Sequence, residues 1–144
     1  MKPDQTIAHV LELDLQALRI ANISTIAFDA DRTLGHFFFR QPEKNIEDFI
    51  TQVSQDFGII LATNRRRPIT FANLFGASIV QPVLGLKPKP HAEFFQRIID
   101  TAGVPANQIA MVGDSMRKDI EPAQRSGMYT VWVDSRRSDA KHIV

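Results

Sequence analysis

The chain has 144 residues, 44% of them hydrophobic and 23% charged, and seventeen Lys and Arg against sixteen Asp and Glu leave a net charge of +1. Those values fit one compact domain, and they argue against disorder and against broad electrostatic attraction to nucleic acid or an anionic membrane. With no cysteine, disulfides, Fe–S clusters and thiolate zinc sites are excluded.

At the amino terminus, Pro3 and Asp4, followed by His9, Glu12 and Asp14, break any apolar run of the kind an export signal needs. No stretch approaches the ~20 apolar residues of a membrane helix, so a cytoplasmic protein is expected, with peripheral membrane contact left open. Residues 1–20 read as an amino-terminal helical segment, its pattern from Ala8 to Ile20 blurred by Asp14. The first strand is Ser24 to Phe28, ending at Asp29. Ile46, Phe49, Ile50 and Val53 recur at helical spacing between Glu43 and Gln55. Gly58 to Ala62 is a second strand, ending at Thr63, and Pro68 with Ile69, Phe71, Ala72, Leu74 and Phe75 reads as a helix with proline in its first turn.

A weaker strand, Ser78 to Val80, precedes a helix carrying Phe94, Phe95, Ile98, Ile99 and Ala102, which Gly103 is placed to stop. Ile109 to Val112 ends at Gly113, a helix from Arg117 buries Ile120 and Ala123 before Gly127, and Tyr129 to Val133 ends at Asp134. Trp132 reads as core, and residues 135–144 as a polar tail. Short apolar runs alternating with amphipathic helices predict an α/β, three-layer Rossmann-like fold. Its sheet would be mainly parallel and five-stranded, within a single domain spanning 1–144.

In an open α/β sheet, ligands bind at the carboxyl ends of the strands. That rule brings Asp29, Asp31, Thr63, Asp114 and Asp119 to one crevice, with Lys87 on the same edge. One cation facing four carboxylates is unbalanced, and a Mg²⁺ ion with oxygen ligands would supply the missing charge. Asp29 and Asp31 also open like a calcium loop, but Leu34 stands where such a loop needs Gly and Arg40 where it needs Glu. His9, His36, His91 and His142 lack metal-ligand spacing.

Asp29–Ala30–Asp31–Arg32–Thr33 after an apolar strand resembles the first motif of the haloacid dehalogenase (HAD) superfamily of phosphohydrolases. Thr63 resembles its second motif, Lys87 in Lys87–Pro88–Lys89–Pro90 its third, and Gly113 to Asp119 its fourth. Lys89 is a second candidate for the third motif; the family's Lys-Pro-x-Pro spacing selects Lys87. The resemblance, over about Leu15 to Trp132, implies a Mg²⁺-dependent phosphomonoester hydrolase with an aspartyl-phosphate intermediate. Asp29 would be the nucleophile, and Asp31 the acid and then the base, its proton favoured by neighbouring carboxylates. Thr63 would donate to the phosphoryl oxygens and Lys87 would neutralise developing charge. Asp29, Asp31 through its backbone carbonyl, Asp114 and Asp119 would hold the ion. Thr33, Asn64, Arg65 and Arg66 are the candidates for substrate binding.

The intervals from Thr33 to Thr63 and from Thr63 to Lys87 are too short for a cap domain, which needs ~50 residues. The chain is therefore most similar to capless HAD phosphatases (subclass III) of the YqeG and phosphatidylglycerophosphate phosphatase type. That resemblance rests on Leu13 to Leu18, the short first insert and Ser126 to Thr130. It implies a phosphorylated small molecule or lipid head group as partner, with self-association and peripheral membrane contact as further expectations and nucleic acid disfavoured. Small sugar or nucleotide phosphates are the alternative substrates. Position 32, where the family usually has a small or amide residue, is arginine. Three adjacent phenylalanines, Phe37 to Phe39, cannot all enter one core face, although packing of two of them is expected. A phosphoryl-accepting receiver module or a silent binding scaffold is the rival class. Receivers lack an acid two residues after the phosphorylated Asp, and here Asp31 fills that place.

Overall fold

The strand-forming runs assemble into one sheet in which every described pairing is parallel. The computed structural model describes residues 2–35, 42–67, 76–83 and 85–137. The expected helix over 68–75 and the run Phe37 to Phe39 lie outside the described residues. The strands are β1 (Gln5–Ile7), β2 (Thr25–Asp29), β3 (Gly58–Ala62), β4 (Ser78–Val80), β5 (Ile109–Gly113) and β6 (Tyr129–Val133), in the order β1-β6-β5-β2-β3-β4. The sheet therefore has six strands where five are expected. The extra strand, β1, has only three residues, and its place depends on pairing with β6 (Gln5 opposite Val131, Ile7 opposite Val133). So short a run shows no periodicity of its own.

The amino-terminal segment is also less helical than its spacing suggests. A 3-10 turn over Val10–Glu12 is followed by α1 (Leu15–Ile20), and Asp14 accepts from the Ala17 amide at 3.0 Å. The residue that blurs the helical pattern is the amino-terminal cap of a shorter helix.

Side chains alternate across the strands and build two apolar layers. Ile26, Phe28, Ile59, Leu61, Ala110 and Val112 pack with Leu18 of α1 and with Ile46, Ile50 and Val53 of α2 (Lys44–Val53). On the other face, Ala27, Ile60, Ala62 and Met111 meet Phe94, Phe95 and Ile98 of α3 (Ala92–Ala102), and Ala123 of α4 (Glu121–Arg125). Full burial of a side chain such as Phe94, Phe95 or Ile98 contributes about 1.5–3 kcal/mol. Gly103 stops α3 at φ 68°, in the left-handed region that favours glycine. No described helix is long and apolar enough to cross a membrane.

The chain runs outward from β2 through β3 to β4, then returns to β5 on the other side of β2. The order thus reverses between β2 and β5, and the loops leaving these two strands part to form a crevice.

Candidate active site

Asp29 is the last residue of β2 and is almost wholly buried. The turn that follows folds back over it. Thr33 Oγ1 donates to Asp29 Oδ2 at 3.3 Å, and the Asp31 amide approaches Oδ1 at 3.4 Å. Thr33 is buried in this bond, so it orients Asp29 and does not line the cavity above it.

The lysine beside Asp29 is Lys89. Its Nζ donates to Asp29 Oδ1 at 3.1 Å, Asp119 Oδ1 at 2.8 Å and the Ala62 carbonyl at 3.0 Å, which uses all three ammonium protons. Asn64 clamps the same residue by its backbone, accepting from the Lys89 amide at 2.8 Å and donating to its carbonyl at 3.1 Å. Lys87, the residue the motif spacing selects, is instead 59% exposed, with Nζ 3.9 Å from Glu93 Oε1. The two lysines stand two residues apart and look alike to any rule of alternation. The docking of the loop onto Asn64 decides between them, and Asn64 is therefore a clamp as well as a cavity wall. Burial works to lower the Lys89 pKa, but the charges of Asp119 and Asp29 outweigh it and hold the ammonium above its ordinary value.

Beyond β5 the chain makes one π-helical turn, Met116–Ile120, opened by Ser115 Oγ accepting from the Lys118 amide at 3.1 Å. The wide turn carries Asp119 back beneath the strand end, where its Oδ2 accepts from the Ser115 amide at 3.2 Å. A Cβ at Gly113 would stand 2.5 Å from Asp119 Oδ2 and 2.6 Å from its Cβ, so only glycine admits this approach. Gly113→Ala is expected to cost about 1–3 kcal/mol through overpacking, read from the denaturant midpoint, and to shift Asp119 from Lys89.

Asp29, Asp114 and Asp119 offer carboxylate oxygens that all lie within 4.8 Å of one another. Burial, and then the proximity of Asp29, pushes Asp114 up to about 7. Burial also raises Asp119 to about 6, against the opposing pull of Lys89. Three converging hard oxygen donors, two of them holding protons unusually tightly, fit a divalent cation that would take the place of those protons.

Both carboxyls have raised pKa values in the folded state, against 3.8 ordinarily. Metal-free protein should therefore lose stability as pH rises from about 4 to about 7. Millimolar Mg²⁺ should flatten that decline, with thermal unfolding near pH 5 and pH 7.5 as the measurement. A decline that Mg²⁺ leaves untouched would show that these acids do not share an ion.

Asp31 does not join the acidic trio. Its Oδ2 accepts from Thr63 Oγ1 at 3.2 Å and its Oδ1 from Arg65 Nε at 2.7 Å, so a hydroxyl and a guanidinium stand where neighbouring carboxylates are expected. Its contribution to a metal would be limited to the backbone carbonyl, which already accepts from the Leu34 amide at 3.2 Å. Thr63 is fully buried, and its Oγ1 also accepts from the Arg65 amide at 3.0 Å.

A cavity of about 560 Å³ lies above these groups, and Arg32, Arg65, Ser115 and Lys118 complete its wall. Arg66 is exposed and does not line it. Asp134, at the end of β6, also lies outside it and pairs with Arg136 at 2.9 Å. Trp132, read as core, is only partly buried and donates from Nε1 to the Asp114 carbonyl at 3.1 Å. Its link to the site depends on β6 lying beside β5, which the local sequence does not reveal.

Residues 87–143 match the HAD-hydrolase-like family. The chain is 46% identical over 43 residues to a glyceraldehyde 3-phosphate phosphatase of Methanocaldococcus jannaschii, an alignment covering 30% of this chain and 19% of that protein. It is 28% identical over 117 residues to a phosphoserine phosphatase of Thermus thermophilus, covering 72% of this chain and 47% of the relative. The chain thus spans less than half the length of either relative. Among solved structures, a 2-haloacid dehalogenase from Pseudomonas syringae superposes with a TM-score of 0.56 at 24% identity, over 66% of this chain and 44% of that one. The fold is that of the HAD-like hydrolases.

Proposed function

We propose that this chain hydrolyses phosphomonoesters through an aspartyl-phosphate formed on Asp29, with Mg²⁺ as the cofactor. The observation that carries the reading is the burial of Asp29 between the Lys89 ammonium and the carboxylates of Asp114 and Asp119. A carboxylate held there, with a cation on one side and metal-ligand geometry on the other, is placed to attack phosphorus.

In the first step an Asp29 oxygen forms a bond to phosphorus as the ester oxygen leaves, taking a proton from Asp31. That role requires Asp31 to enter the step protonated, although Arg65 beside it favours the anion. In the second, Asp31 takes a proton from water as that water attacks phosphorus, which releases phosphate and frees Asp29. Asp31 is within hydrogen-bond reach of Thr63 and Arg65, which fix its orientation for both transfers. Lys89 neutralises charge on the phosphoryl group, Asn64 keeps Lys89 in place, and Thr33 keeps Asp29 in place. Asp29, Asp114 and Asp119 would hold the Mg²⁺, which when bound offsets the mutual repulsion of these acids and polarises the phosphoryl oxygens.

The curated relatives are named for glyceraldehyde 3-phosphate and phosphoserine, both phosphomonoesters of primary alcohols. We assign the same class of bond here, in a soluble metabolite or a lipid head group. We also read the enzyme as capless, since the intervals 30–57 and 63–77 are each short of the ~50 residues of a folded cap. The test is phosphate release from sugar, amino-acid, nucleotide and lipid phosphomonoesters, with Mg²⁺ and with chelator. Release that needs the ion is expected, and no release from any ester in the presence of Mg²⁺ would overturn the assignment.

A further inference from the structure

The cavity has an acidic floor and a basic mouth. Arg32, in the turn after β2, and Lys118, in the π-helical turn after β5, line it from the two sides of the switch point. Both are exposed, and among the described residues neither has a carboxylate within salt-bridge distance. The mouth acid, Asp31, is taken up by Arg65.

Two unneutralised cations at the entrance ask for an anionic occupant, and the direction of the reaction says which part of the substrate meets them. In phosphoryl transfer the leaving oxygen lies roughly opposite the attacking one. Asp29 attacks from the buried floor, so the alcohol portion of the ester projects outward, toward Arg32 and Lys118. The phosphoryl group itself is served by Lys89 below. Cations at the mouth attract any phosphomonoester, but beside the leaving alcohol they favour one that carries a further negative charge there.

Building on the phosphatase reading above, we propose that Arg32 and Lys118 form a subsite for a second anionic group on the substrate. The substrate is a phosphomonoester whose alcohol bears a carboxylate or a phosphodiester. A soluble phosphorylated hydroxy acid and a glycerophospholipid head group share that chemistry.

The experiment compares kcat/KM for phosphoglycerate, for a phosphodiester-bearing glycerophospholipid monoester in mixed micelles, and for glycerol phosphate, whose alcohol is uncharged. The ratio of anionic to uncharged substrate should exceed one in the native chain. It should fall about tenfold in the double variant Arg32→Gln/Lys118→Gln and shrink with added salt, as solvated charge contacts do. Arg32→Lys/Lys118→Arg should restore it, which loss of folding would not allow. A preference confined to phosphoglycerate assigns a soluble substrate, and one confined to the micellar ester assigns a lipid. Hydrolysis of all three esters with a ratio that the double neutral variant leaves unchanged would overturn the subsite and leave the phosphatase standing. Failure of the native chain to hydrolyse any of them would overturn both.

Discussion

Replacing Asp29 by asparagine is expected to lower phosphate release by on the order of 10⁵-fold, because an amide of the same size cannot take the phosphoryl group. The fold should survive. The remaining amide oxygen can still accept from Lys89, and loss of one charge relieves the acids that crowd it. Asp114, held up to about 7 by burial and by Asp29, should then titrate closer to its ordinary value. Phosphate release and chemical denaturation, measured on one preparation, separate the two effects. An Asp29→Asn variant that releases phosphate at the native rate would exclude the covalent route.

The second large effect concerns the two lysines of the loop after β4. Lys89→Met removes the cation shared by Asp29 and Asp119 and leaves the Ala62 carbonyl without that donor. Breaking one side of a buried ion pair costs about 3–5 kcal/mol, so the variant should be severely destabilised, with turnover lost alongside. Lys87→Met should stay within about 0.5 kcal/mol of the native chain, since its ammonium is solvated and only distantly paired with Glu93. Denaturant midpoints decide the matter. The reverse ranking would return the third motif to Lys87.

That pair of lysines separates what local sequence encodes from what contacts between loops decide. Strands such as Gly58–Ala62 and Tyr129–Val133 are legible because a strand covered on both faces must be apolar throughout, and that demand is local. The strand Gln5–Ile7 has no such signature, since only its partner β6 makes it a strand. The acids that meet over the sheet are equally legible, because parallel strands bring every carboxyl end to one edge and Asp29 and Asp114 stand at two of them. The direction in which Asp31 turns depends on Arg65, which approaches from a different loop. The choice of Lys89 depends on Asn64, twenty-five residues away in sequence. Both are settled by contacts between loops, and no periodicity encodes them.

The chain contains a single tryptophan, and that indole N–H is bonded to the carbonyl of Asp114 while Arg136 lies 5.6 Å above the ring. The molecule therefore carries an intrinsic optical reporter wired to its acidic loop. Emission excited at the red edge of absorbance comes from one site alone, so occupancy of that loop can be followed in unlabelled protein, in real time and without any chromogenic ester.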